Sequence, residues 1–405
     1  MRTYRELFRT PEFTPLFAAS AAQTAAGTLS GLALGTLVYA RTGSPLLAAL
    51  SMFGPSFGQV LGALLLLSAA DRLPPRTAVT LVAAAYGTGH LVLALPGMPL
   101  WGTFAVILAL GVAGSLGGGV RWGLLGEILP PGGYLLGRSA FNVSVGAMQI
   151  AGFAAGGVLI AVVSPRTALV IGGVLGLGAA AIARFGLTRR PARAAGRPSV
   201  AATWRVNRRL WSAPGRRTLY LAMWVPNGLV VGCEALFVPY APGAAGLLFI
   251  AGALGMLGGD VLTGRVLPPR LRGRFVTPLR VLLAAPYLLF AVAPAAPLAA
   301  VLVAVASAGF GAGLLLQERL LAVTPADVRG QALGLHSTGM MTMQAVGATI
   351  AGAVAQLVSV PVAIALMAVA SLLVTAALTR GLRPRSPGSA AAAATPAAPP
   401  ASPRH

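Results

Sequence analysis

The sequence predicts an all-α membrane protein of twelve transmembrane helices arranged as two six-helix bundles, and three observations carry that prediction. First, 56% of the 405 residues are hydrophobic and only 9% are charged, with a mean hydropathy of +0.81. A soluble domain carries about 25% charged residues. Second, apolar runs of about 20 residues, enough to cross a ~30 Å hydrocarbon core, recur along the whole chain. Third, the 30 basic residues are all arginine and cluster in alternate gaps between those runs. Short loops rich in arginine stay on the cytoplasmic side, so clusters at every second loop predict many crossings with both termini inside.

Taken in order, Met1 to Thr14 carries Arg2, Arg5 and Arg9 together with Glu6 and Glu12. The apolar stretch that follows has no small-residue cleavage site, which predicts a retained first helix rather than a signal peptide. On the length criterion the first six spans fall at 14–40, 45–70, 77–95, 99–127, 139–163 and 167–187. The second six fall at 217–240, 243–264, 275–293, 298–320, 331–356 and 361–379. Outer loops are short, such as Arg41 to Ser44 and Ser164 to Arg166. The chain is thereby divided into an N-terminal bundle (1–183), a cytoplasmic basic linker (184–216), a C-terminal bundle (217–382) and a tail (383–405). Rich in Pro, Ala and Ser, the tail cannot bury a core and is expected to be disordered on the cytoplasmic side.

The two halves repeat one another. Asp71-Arg72-Leu73-Pro74-Pro75-Arg76 after span 2 has its counterpart in Gly264-Arg265-Val266-Leu267-Pro268-Pro269-Arg270 after span 8. Arg72 and Arg265 are 193 positions apart, as are Gly137 and Gly330, while Glu127 and Glu318 are separated by 191. A near-constant displacement at three places marks a tandem duplication.

Composition also excludes whole classes of function. The net charge of +22 is distributed loop by loop, and the aromatic residues are too scattered to form a stacking platform, so no nucleic-acid partner is expected. A single cysteine, Cys233, rules out an internal disulfide or a thiolate metal cluster. With no lysine there is no phosphate-loop lysine, and neither a Ser-His-Asp set nor metal-ligand spacing occurs. An enzyme, a metal and an organic cofactor are therefore not expected. The absence of lysine beside abundant Ala, Gly, Arg and Pro points to a GC-rich bacterial genome, of the actinobacterial type.

Six plus six spans, a long basic central loop and the Asp71-Arg72 pair with Arg76 resemble the major facilitator superfamily, from residue 1 to about 382. The family loop reads Gly-x-Leu-x-Asp-Arg-x-Gly-Arg-Arg. Here Leu67, Ala69, Asp71, Arg72, Pro74, Pro75 and Arg76 stand in its place, keeping the Asp-Arg core and the last basic residue but neither glycine. The resemblance implies a monomeric, multi-pass transporter of the cytoplasmic (inner) membrane. Its two bundles would flank a cavity lined by spans 1, 4, 7 and 10 and opened to each side in turn. A carboxylate at a helix C-terminus opposes the helix dipole unless cations pair with it. Asp71, Arg72 and Arg76 thus read either as a conformational latch or as an ordinary solvated helix end. Gly152-Phe153-Ala154-Ala155-Gly156-Gly157 resembles the Gly-Pro-x-x-Gly-Gly of exporting antiporters, with Phe153 replacing the proline. Gly152, Gly156 and Gly157 could equally serve plain helix packing.

An ionisable side chain inside a span is costly and suggests a function. Glu234 lies in span 7, roughly 9 Å below its outer end at ~1.5 Å per residue. On the same span, Asn227 adds a polar site, and Pro226, Gly228, Gly232 and Pro239 weaken the helix. Glu234 reads as a proton- or substrate-coupling group or as an inert interfacial carboxyl. Arg121 in span 4 could draw an anion into the cavity or snorkel to the inner interface. Gln23, Thr24, Thr28 and Gln317 supply a modest polar lining, while His90 and His336 stand near helix ends. Glu127 and Glu318, beside arginine-bearing loops, suit a structural role. The leading expectation is proton-coupled efflux of an apolar or amphipathic compound. The alternatives are proton-coupled uptake or facilitated diffusion of a metabolite and, from another class, a non-transporting membrane sensor or scaffold.

Overall fold

The computed structural model describes residues 3–66, 73–130, 133–191 and 200–382, and no strand occurs among them. After a short helix at Tyr4–Arg9, the N-terminal half contains α1 (Phe13–Thr42), α2 (Pro45–Leu66), α3 (Pro75–Leu93), α4 (Leu100–Ile128), α5 (Tyr134–Val162) and α6 (Pro165–Gly186). A helix the sequence did not announce, Val200–Ser212, lies in the linker. The C-terminal half contains α7 (Pro214–Tyr240), α8 (Ala245–Val266), α9 (Arg270–Val292), α10 (Ala296–Ala322), α11 (Arg329–Leu357) and α12 (Val360–Leu382). Ten of these are long and apolar enough to cross a membrane. The other two, α1 and α3, are richer in threonine, but both pack tightly onto α6.

Helix ends follow local chemistry. Ser164 caps α6 by accepting from the Thr167 N–H, with Pro165 at the first helical position, where its missing N–H costs nothing. Gly43 closes α1 at φ 63°, a left-handed conformation that a Cβ would strain. Interior prolines mark the irregular helices: Pro226 lies within α7, which breaks at Leu236 before a last turn, Phe237–Tyr240. From Ala285 to Val292, α9 tightens into a 3₁₀ helix, and α8 ends in a π turn, Leu262–Val266.

Packing carries the duplication into three dimensions. In the N-terminal half α1 packs on α5 and α6, α2 on α4, and α3 on α4 and α6. The C-terminal half repeats those pairs: α7 on α11 and α12, α8 on α10, and α9 on α10 and α12. The halves meet through α2 with α11 and α5 with α8. Large apolar side chains face outward around the bundle, among them Phe185, 85% exposed, and Leu357, 86% exposed. Such a surface suits lipid rather than water.

Candidate functional site

The halves close on one another at the end away from the termini. Gly157 of α5 faces Gly246 of α8 so closely that the two backbones touch, and the neighbouring Phe153 and Phe249 stack with ring centroids 4.6 Å apart. On the opposite seam, Gly352 of α11 lies against Leu46 of α2, and Gln356 Nε2 donates to Ser44 Oγ at 2.6 Å. Towards the termini, Gly146 of α5, Gly264 of α8 and Gly330 and Gly334 of α11 have open space where a Cβ would stand. The seam is sealed at one end and parted at the other.

Beneath the seal lies a cavity of about 460 Å³. Its roof is aromatic, from Phe153, Phe237 and Phe249. Amides point in from three sides: Gln149 on α5, Asn227 on α7, and Gln317 and Gln344 on α10 and α11. Gln344 Nε2 donates to Asn227 Oδ1 at 3.2 Å, tying α11 to the wall of α7. Gln317 meets His336 Nε2 at 3.0 Å, and Trp224 Nε1 donates to His336 Nδ1 at 3.2 Å. An indole N–H can only donate, so Nδ1 accepts; a proton on Nε2 then calls for the Gln317 amide to turn its oxygen, in place of its nitrogen, towards the ring. The network thus joins α7, α10 and α11 at the floor.

Three ionisable groups complete the lining: Glu234 on α7, Asp260 on α8 and Arg280 on α9. Glu234 and Asn227, which the sequence singled out on span 7, both line this cavity. The sequence singled out neither Arg280, close behind the arginines at 270–274, nor Asp260 near the end of span 8. Both belong to the cavity. The prolines hold the signal: Pro268 and Pro269 start α9, which puts Arg280 eleven residues into the helix, roughly 16 Å from its start.

Other expected site residues lie elsewhere. Gln23 and Arg121 contribute nothing to this lining, which corrects their assignment to the cavity. Arg121 NH1 donates to Ser20 Oγ of α1 at 2.9 Å, and its guanidinium lies over the Trp122 ring, 5.0 Å from the centroid. It therefore binds α4 to α1 and neither snorkels nor faces the cavity. Gly152 brings α5 against Thr28 and Ala25 of α1, and Gly156 lies over Leu29 and Leu32. With Gly157 against α8, all three glycines serve close packing. Asp71 and Arg72 lie outside the described residues, whereas Arg76 donates to the Leu187 carbonyl at 3.2 Å, linking the start of α3 to the end of α6. Glu127 and Glu318 pair within their own halves, with Arg190 at 3.6 Å and Arg272 at 3.3 Å.

No protein family and no curated protein matches the sequence. Solved structures do match in shape. The nucleoside transporter NupG superposes with a TM-score of 0.74 at 12% identity, over 92% of this chain and 100% of that one. A POT family transporter in complex with a thioalcohol-conjugated peptide gives 0.73, and one with 5-aminolevulinic acid gives 0.72. Both are 12% identical and cover 90% of this chain and 95% of theirs. The chain shares the fold of these transporters. One expectation attached to that fold fails here: α1 and α4 contribute no residue to the lining, which comes from α2, α5 and the C-terminal helices. The hydroxyls of α1 bond to its own backbone, Thr24 to the Ser20 carbonyl and Thr28 to the Thr24 carbonyl, and Gly152 seats α5 over that face.

Proposed function

We propose that this protein is a secondary transporter that carries a small polar molecule across a membrane by alternating access, coupled to protons through Glu234. The observation that carries the reading is the cavity: sealed on one side by the Phe153–Phe249 stack and furnished with three ionisable groups inside an apolar bundle. Such groups are too costly within a membrane to persist without a task. The shared fold with a nucleoside transporter and with peptide-binding POT family transporters supports the same class of activity.

Uptake is favoured over efflux. The efflux reading rested on Gly152, Gly156 and Gly157 as an exporter mark and on a sparse polar lining. The glycines are accounted for by helix packing, and the lining offers four amides besides its charges. A purely apolar passenger would leave the three charged groups without partners. With the termini on the cytoplasmic side, as the arginine distribution requires, the described conformation faces inward.

The test is flux in proteoliposomes holding the purified full chain under an imposed pH gradient. Nucleosides, short peptides and 5-aminolevulinate are the first solutes to try. Accumulation should follow the gradient in the native protein, and Glu234→Gln should abolish it while leaving exchange of solute for solute. Uphill accumulation by Glu234→Gln with an unchanged response to pH would remove Glu234 from the coupling step. No flux of any solute would favour the sensor reading.

A further inference from the structure

We infer that Arg280 is a carboxylate-binding subsite and that the transported molecule is amphoteric, its acid held by Arg280 and its cationic group by Glu234 and Asp260. The inference rests on the transport reading of this cavity and specifies the passenger.

Arg280 is 2% exposed, among the most deeply buried side chains of the protein, and it lines the cavity wall. None of its three guanidinium nitrogens has a hydrogen-bond partner. A permanently charged group held away from water without a partner costs several kcal/mol, so folded proteins almost always pair it. Two acids line the same cavity, but among the described residues no ion pair engages Arg280, Glu234 or Asp260. The α10 backbone at Gly309 packs directly against Leu279 and Leu283, so Arg280 belongs to a closely packed stretch of α9. Its planar fork of donors matches the two oxygens of a carboxylate.

The acids narrow the class further. A dianionic phosphate at Arg280 would also face Glu234 and Asp260 and be repelled by them. A monoanionic carboxylate is tolerated, and a cationic group on the same molecule would turn both acids from opponents into partners. The aromatic roof accepts an apolar body. Arginine, acids and rings together fit a zwitterion with a hydrophobic side.

The experiment is a melting-temperature titration of the purified full chain with phenylalanine, phenylalanine amide and 3-phenylpropionate. These share one ring and differ only in carrying both charges, the cation alone or the anion alone. Phenylalanine should stabilise the native protein at concentrations about tenfold or more below either comparison compound. Arg280→Gln should erase the preference of phenylalanine over its amide, and Arg280→Lys should restore part of it. Without ligand, Arg280→Gln should melt no lower than the native protein, since it removes an uncompensated buried charge. A lower melting point would assign Arg280 to the fold instead. Equal responses to the three compounds, no response to any, or a preference that survives Arg280→Gln would each overturn the inference. Because binding is read without flux, a failure here is separable from a failure of transport.

Discussion

The two halves of this protein share one scaffold and divide its labour. Equivalent helix pairs touch in each, so the duplication seen in the sequence is also a duplication of packing. Their buried charges differ in kind. In the N-terminal half Arg121 is engaged by Ser20 and Trp122, and His90 lies in a dry pocket beside the Tyr86 ring, 5.9 Å from centroid to centroid. In the C-terminal half Glu234, Asp260 and Arg280 all face one cavity with no ion pair between them. The N-terminal half uses its buried arginine to join two helices, and the C-terminal half gathers its charges around one cavity. A repeat thus fixes geometry without fixing chemistry.

The sharpest way to break this comparison is through one packing glycine from each half. At Gly347 of α11, a Cβ would be driven into the backbone of Gly228 on α7, which is carbonyl and cannot swing aside. At Gly156 of α5, the nearest atom to a Cβ is Leu32 Cδ2 at 3.4 Å, an ordinary contact. Gly347→Ala should therefore force α7 and α11 apart, at a cost of about 1–3 kcal/mol or more. Gly156→Ala should be neutral or slightly stabilising, because alanine is the better helix former by about 1 kcal/mol. Yield of monodisperse protein and its melting temperature would show it. Equal tolerance at both sites would mean that the α7–α11 contact is looser than drawn.

Much of the scaffold was legible beforehand. Helix starts at Pro45, Pro165 and Pro214 fall close to the predicted ones, because proline and arginine punctuate an otherwise apolar text. The cavity was only half legible. Glu234 and Asn227 stood out as polar residues deep within a span, whereas Arg280 was hidden by company. It follows closely on Arg270, Arg272 and Arg274, and a span predicted to begin at 275 leaves it less than two turns from the basic loop. Which helices face the cavity was legible by half: α7 and α10 line it as the resemblance implied, whereas α1 and α4 do not, since that depends on how far the halves part. For this reason Gln23 and Arg121 were expected in a lining that they do not reach.

A second test asks whether the N-terminal half is as chemically quiet as it looks. Arg121→Gln retains a donor for Ser20 and gives up only the charge and the contact with Trp122. Solute selectivity and the response of flux to pH should stay within about twofold of the native protein, since no passenger meets this side chain. A lost preference for carboxylate-bearing solutes would bring Arg121 into the binding cycle, in a conformation where α4 faces the cavity.

The smallest effect expected is at the membrane-facing ends, where the halves again differ. Glu12, just before α1, is gripped by Arg190 NH1 at 2.7 Å and NH2 at 2.9 Å, and it accepts from the Thr188 N–H at 2.9 Å. Burial alone would raise its pKa, but the bonds from Arg190 and Thr188 outweigh burial and hold it below the ordinary 4.5. A carboxyl with a lowered folded pKa adds stability that is fully present above 4.5 and is lost as the pH falls through the lowered value. In the C-terminal half the pair of Arg272 with Glu318 at 3.3 Å has its acid 58% exposed and is worth about 0–1 kcal/mol. Melting curves of Arg190→Gln should therefore lie below the native curve at neutral pH, by an amount corresponding to about 1.5–3 kcal/mol. They should converge on it as the pH drops below 4.5, while Arg272→Gln should track the native protein throughout. A constant gap for Arg190→Gln across that range would show that Arg190 stabilises this corner through contacts other than the Glu12 carboxylate, and Glu127, 3.6 Å away, would be the first group to examine.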